Sequence, residues 1–194
     1  MRLFLGLPIP PDLAQALNRL TQAIELPKGR PAAPQNLHLT LVFLGEVAES
    51  KLPPIERELS KLNIAAFQLE LTSLNTFPRP GVLFAEVEPT RPLLQLQAKA
   101  AAAMVCCGFA PEAHPYHPHI TLARFHGTLR LSQSQRALPP SLPRIFIADT
   151  VNLYRSHLTP TGANYEILAQ KKATKPNKPI THPDPNSQNG KAQK

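Results

Sequence analysis

Cysteine is scarce in this chain: there are two among 194 residues, and they are neighbours, Cys106 and Cys107. Adjacent cysteines at the end of an alanine-rich helical pattern supply neither a disulfide framework nor the spacing of a metal site. Both are expected to be buried packing residues in a reducing compartment. Long apolar runs are missing as well. No stretch approaches the ~18 uninterrupted apolar residues that span a bilayer. The opening MRLFLGLPIPPD has one basic residue, and Pro8 cuts its apolar run short of a secretory signal. The expectation is a soluble, cytoplasmic protein with no membrane attachment. Acidic residues are outnumbered, 13 against 21 lysines and arginines, for a net charge of +8. The excess is concentrated at one end: residues 171–194 carry six lysines and one aspartate, hence +5, which leaves only +3 on residues 1–170. A body so weakly charged gives little support to tight nucleic-acid binding by charge alone.

What is present is enough apolar material for a real core, 42% of residues. Residues 171–194 are polar, proline-bearing and nearly free of large apolar groups, so burial cannot offset their ordering entropy. The organisation expected is therefore a two-lobed domain over 1–170 followed by a disordered basic tail over 171–194, which adds at most a salt-sensitive attraction to RNA.

Within the domain the pattern runs twice. RLFLGL is a strand, followed by a helix with Leu13, Leu17, Leu20 and Ile24 at helical spacing and Pro10 and Pro11 at its start. A proline-rich loop leads to the strand NLHLTLVFLG, then the helix PPIERELSKL and a strand near FQLELTSL. The second run has GVLFAEV as strand, PLLQLQAKAAAAMVCC as helix, a His- and Pro-rich loop and the strand HITLARF. A weaker helix, LSQSQRAL, and the strands RIFIADTVNLY and NYEIL complete it. The same short phrase, His-x-Thr-Leu, falls at the corresponding strand of each run, at His38 and at His119.

Side chains alternate faces along a strand. Leu37, Leu39, Leu41 and Phe43 are therefore opposed to His38 and Thr40, and Ile120 and Leu122 to His119 and Thr121. Leucines buried against helices would leave each His and Thr on a wetter face, and a pseudo-twofold between the runs would bring those faces together across a cleft. Two imidazoles at one small volume can act as general acid and general base, because each titrates near ~6.5. Thr40 and Thr121 add neutral donors for anionic oxygens, and Arg124 adds a permanent cation with a fork suited to phosphate. Together these read as phosphodiester chemistry without a metal. A metal reading is the alternative, since His114, His117 and His119 cluster in HPYHPHITL, although no carboxylate or cysteine close in sequence completes a ligand set. His126 and His157 are expected at the surface.

The paired HLTL and HITL, the opening RLFLGLPIP, and the segments NLHLTLVFLGEV, TFPRPGVLFAEV, HPHITLARF and LYRSHLTPTGANYEIL together resemble the two-histidine phosphoesterases. Among these the chain is similar to the RNA 2′,3′-cyclic phosphodiesterases, historically named 2′-5′ RNA ligases, from Arg2 to about Leu168. The resemblance implies a bilobal α+β fold, two antiparallel sheets enclosing a central cleft with helices outside. It implies hydrolysis of RNA 2′,3′-cyclic phosphate ends to 2′-phosphomonoesters with no metal. No cofactor is expected, and a monomer is expected because the sequence shows no coiled-coil or symmetric-interface patterning. His38 would then donate the proton to the departing 3′ oxygen and His119 would activate water. Thr40, Thr121 and Arg124 would hold phosphate oxygens. Ligation in the same site, and a noncatalytic module that binds RNA ends, are the rival functions.

One spacing strains against simple alternation. Arg124 follows His119, and Phe43 follows His38, at the same odd offset, so each would point away from its histidine in a regular strand. Either both strands bend or bulge after the threonine, or these side chains reach round the strand end. That would place Phe43 to stack on a nucleobase; a regular strand would make it core.

Overall fold

The structure is a computed structural model describing residues 1–110, 113–159 and 162–174. Its elements in chain order are β1 (Arg2–Pro8), α1 (Pro11–Gln22), β2 (Gly29–Pro31), β3 (His38–Glu46), α2 (Leu52–Lys61), β4 (Phe67–Phe77) and β5 (Val82–Val87). There follow α3 (Arg91–Cys106), β6 (His119–Phe125), α4 (Gln133–Arg136), β7 (Ile145–Ala148), β8 (Thr150–Thr159) and β9 (Gly162–Lys172).

The three longer helices each begin with proline in the first turn, where the missing N–H costs nothing. Each buries one stripe: Leu13, Ala14 and Leu17 on α1, Ile55 and Leu59 on α2, and Leu93, Leu96, Ala100 and Met104 on α3. On α1, Asp12 in the first turn and Arg19 in the last turn both favour the helix dipole. The expected helix LSQSQRAL contracts to four residues, started by a capping box in which Ser132 and Gln135 satisfy each other's backbone groups. No helix among the described residues is long and apolar enough to cross a membrane.

The strands run β7-β4-β5-β6-β3-β1-β8-β9, every pairing antiparallel, with β2 added to β6. The two lobes are β3-β1-β8-β9 and β7-β4-β5-β6. They join at one pair, Leu39 opposite Ile120, between the two motif strands. The chain does not fill its lobes in the order of its repeats. β4, the last strand of the first run, lies in the second lobe, whereas β8 and β9, the last strands of the chain, complete the first. At the turn from β4 to β5, Gly81 has φ +80°, and a Cβ there would sit 2.1 Å from the Phe125 carbonyl oxygen. Only glycine lets that turn close against β6.

Two expectations change here. Cys107 is buried but Cys106 is exposed, because it falls on the solvent side of the last turn of α3. The folded chain also runs past residue 170: Lys171 and Lys172 pair with β8, and the backbone N–H groups of Ala173 and Thr174 donate to the carbonyls of Asp149 and Ile64. Residues 175–194 of the expected tail lie outside the described residues. His126 and His157 are at the surface as expected, His157 paired with Glu166 at 2.8 Å.

Candidate active site

Both motif histidines are the first residues of their strands, and both are held in the same way. The Nδ1–H of His38 donates to the carbonyl of Asn36 at 2.7 Å, and the Nδ1–H of His119 donates to the carbonyl of His117, also at 2.7 Å. A carbonyl only accepts, so each ring keeps its proton on Nδ1 and leaves the Nε2 lone pair free for chemistry. At His38 that lone pair lies 3.1 Å from Thr40 Oγ1.

The predicted bulges are present, at equivalent positions. Leu5 and Gly6 on β1 pair with Val42 and Thr40, skipping Leu41; Leu83 and Phe84 on β5 pair with Ala123 and Thr121, skipping Leu122. In both motifs the leucine after the threonine is the extra residue, and the strand changes phase there. Phe43 and Arg124 consequently return to the face of their histidines. Phe43 is paired with Phe4, whose ring stacks on His38 at 4.6 Å between centroids. It is 47% exposed, with the Arg2 guanidinium 4.9 Å over its ring, so it is not core. Arg124 is exposed, and its charge is felt both at His119 and at Tyr165, whose ring meets His38 edge-on at 5.1 Å.

Around the Leu39–Ile120 pair the antiparallel register sets His119 opposite Thr40 and Thr121 opposite His38. His38, Thr40, His119, Thr121 and Arg124 therefore share one side of the sheet at the junction of the lobes. The imidazoles interact electrostatically. Burial drives the pKa of His38 down from 6.5 to about 4; the Asn36 hydrogen bond opposes that, and His119 reinforces it. Burial also lowers His119, the hydrogen bond to the His117 carbonyl opposes this, and the charges of His117 and Arg124 add to the lowering. Burial thus disfavours the charged form of both rings.

Several residues around the pair were invisible as a group in the sequence. On the first lobe, Phe4, Tyr154 and Tyr165 box in His38, and the buried Asn152 donates to the Tyr154 hydroxyl at 2.8 Å while accepting from Gln170 at 2.9 Å. On the second lobe, Phe77 and Phe84 meet His119 edge-on, at 5.3 and 5.2 Å. Beside them Glu86, paired with His119 across β5 and β6, accepts from Ser73 and from Asn75 and lies 3.8 Å from His117 Nε2. Tyr116 donates to the Thr40 carbonyl at 2.9 Å, a further tie across the junction. No group of three potential metal-ligating side chains assembles among the described residues, and His114, His117 and His119 do not form one. His117 instead turns its ring towards Glu86, and His119 Nδ1 is committed to a carbonyl.

Residues 9–160 match the 2′-5′ RNA ligase superfamily. An RNA 2′,3′-cyclic phosphodiesterase of Thermus thermophilus is 32% identical over 182 residues, covering 87% of this chain and 88% of its relative. One from Aeropyrum pernix is 31% identical over 147 residues, covering 72% and 83%. The crystal structure of E. coli LigT in its apo form superposes with a TM-score of 0.77 at 27% identity, covering 90% of this chain and 98% of LigT. The chain belongs to the 2′-5′ RNA ligase superfamily, as its paired motifs indicate.

Proposed function

We propose that this protein hydrolyses RNA 2′,3′-cyclic phosphate ends to 2′-phosphomonoesters, with His38 and His119 as the proton-transferring pair and no metal in the reaction. The observation that carries this reading is the matched pair itself: two imidazoles of one tautomer, electrostatically coupled, on one face where the lobes meet. In the reaction, water adds to phosphorus and the bond from phosphorus to O3′ breaks. The water proton passes to a neutral Nε2, assigned to His119, and the departing oxygen takes a proton from the other ring, assigned to His38. Thr40 and Thr121 donate to nonbridging oxygens, and Arg124 offsets their charge as it rises in the transition state.

The donor must begin protonated, yet burial pushes the pKa of His38 down to about 4. The phosphate of the substrate resolves this, because an anion at Nε2 favours the charged ring. Proton uptake is thereby coupled to substrate binding. Phe43, exposed on the same face with Arg2 above it, offers a ring for a nucleobase next to the cyclised end.

The test is end-group analysis of an RNA bearing a 2′,3′-cyclic phosphate, with and without excess chelator. A 2′-phosphomonoester formed equally in both supports the reading. A product joined to an added 5′-hydroxyl RNA would assign ligation instead. Loss of turnover on chelation, restored by zinc, would overturn the metal-free part.

A further inference from the structure

The residue two positions before each motif histidine does more than offer a carbonyl. Asn36 closes a short 3-10 turn, Pro34–Asn36, just ahead of β3, and its side chain donates from Nδ2 to the carbonyl of Ala163 at 2.5 Å, at the start of β9. The fastened residue is the same one whose carbonyl receives the Nδ1–H of His38. In the second motif, His117 supplies the carbonyl for His119, and its ring approaches Glu86 on β5. Glu86 is held by Ser73 and Asn75, and Asn75 Oδ1 in turn accepts from Arg136 at 2.6 Å. Burial opposes ionisation of Glu86, but those two donors and the charges of His117 and Arg136 outweigh it and keep the carboxyl below its usual range. A stable carboxylate therefore faces the ring of His117.

We infer that Asn36 and the His117–Glu86 pair are positioning residues: each tethers, by a side chain, the carbonyl that sets the tautomer and direction of a motif histidine. The inference rests on the proposed roles of His38 and His119 for its catalytic consequence, but not for its structural one. A carbonyl orients an imidazole only as well as its own peptide is fixed, and neither peptide lies inside a strand ladder. Asn36 precedes β3, and His117 precedes β6. The tethers replace the missing ladder with contacts to distant elements, β9 in one case and β5 in the other. They differ in kind: the first is a neutral amide on a carbonyl, the second an imidazole on a carboxylate, strongest when His117 is charged.

The experiment uses the full chain, with ¹⁵N imidazole spectra of the resting protein and steady-state kinetics on a cyclic phosphate substrate. Asn36→Asp keeps the shape but removes the donor. Glu86→Gln keeps an acceptor for Ser73 or Asn75 but removes the charge, and His117→Phe keeps a ring. Asn36→Asp is expected to erode the Nδ1–H tautomer at His38 alone, and the other two variants at His119 alone. Each is expected to lower kcat by about 10- to 100-fold, the scale for partners that orient a functional imidazole, with KM little moved. A fall in kcat with both tautomers unchanged would overturn the inference and leave a merely structural role. Equal loss of order at both rings, or variants that do not fold, would overturn it too. Tautomer loss confined to one ring with turnover intact would uphold the tethers and sink the acid and base reading instead.

Discussion

The two motifs are near-identical in sequence but sit in unlike surroundings. His38 is enclosed by aromatic rings, Phe4, Tyr154 and Tyr165, with the Asn152 and Gln170 amides beyond them. His119 has aromatic rings on one side and on the other a polar network of Glu86, Ser73, Asn75 and Arg136 reached through His117. A duplicated strand with a duplicated bulge thus delivers two histidines in the same tautomer, and the flanking strands differentiate them. Burial is the main cause of the lowering at both: it takes the first down to about 4, and at the second the charges of His117 and Arg124 add to it. Under the proposed roles the two rings trade protons in opposite directions, and the motif alone does not distinguish them.

The sharpest break of this near-symmetry is removal of either ring. His38→Ala and His119→Ala should each cost about 10² to 10⁴ in rate on a cyclic phosphate. An aryl phosphodiester, whose leaving group departs without help, should partly rescue His38→Ala and not His119→Ala. Rescue of the other variant would exchange the two roles, and full activity in both would end the catalytic reading.

Burial of His38 also has a cost visible in folding. Between pH 6.5 and 4 the unfolded chain binds a proton that the folded His38 refuses. Stability should therefore fall as pH drops through that window, by at most about 3 kcal/mol from this residue. Denaturant titrations of wild type and His38→Gln should show the slope shallower in the variant. For the same reason the bell in kcat/KM should centre below pH 6.5, with kcat shifted upward, because phosphate in the bound complex favours the charged rings. Coincident profiles would show that substrate does not recharge the pair.

A smaller and more local effect is expected at Gly6, which lies between Thr40 and Asn152 in the sheet. A Cβ there would come 3.0 Å from the Leu39 carbonyl oxygen and 3.3 Å from His38 Cδ2. Gly6→Ala should cost about 1 to 3 kcal/mol of stability by overpacking and tilt the first histidine while leaving the second in place. An unshifted His38 resonance would refute the close approach. Smallest of all, ending the chain after Thr174 should leave turnover of a small cyclic nucleotide unchanged. Ending it after Gln170 also removes the donation of Lys171 Nζ to Ser60 and the backbone bonds of Ala173 and Thr174, and should lower stability by about 1 kcal/mol for each bond lost. Equal stability of the two truncations would return the domain boundary to residue 170.

The motif residues were legible because local rules apply to them. Alternation put His38 with Thr40 and His119 with Thr121, and the odd offsets of Phe43 and Arg124 called for a bulge or a reach round the strand end, of which the register shows the bulge. The surroundings were not legible, for two reasons. β1 is buried along nearly its whole length, so no alternation marks Phe4 as facing the site. Tyr154, Tyr165 and Glu86 reach the histidines only through strand neighbours far away in sequence, which a single chain does not reveal. Asn36 was within reach: it occupies before His38 the place that His117 occupies before His119. The exposure of Cys106 was missed because an alanine-rich helix has a weak apolar stripe, so its last turn does not announce which cysteine faces inward.

The exchange of strands between lobes has a consequence for how the protein comes into being. The first lobe needs β8 and β9 to complete it, so β1 and β3 must wait for almost the entire chain before their sheet is whole. The second lobe borrows β4 and β2 from the earlier run and can close sooner, once α4 and β7 have followed β6. During synthesis, which proceeds from the N-terminus, the half-site around His119 should assemble first, while His38 waits on an unfinished sheet edge. Pairings of such long sequence separation fold slowly and leave strand edges exposed meanwhile. The order in which a ribosome presents the repeats is thus the reverse of the order in which their histidines become ready.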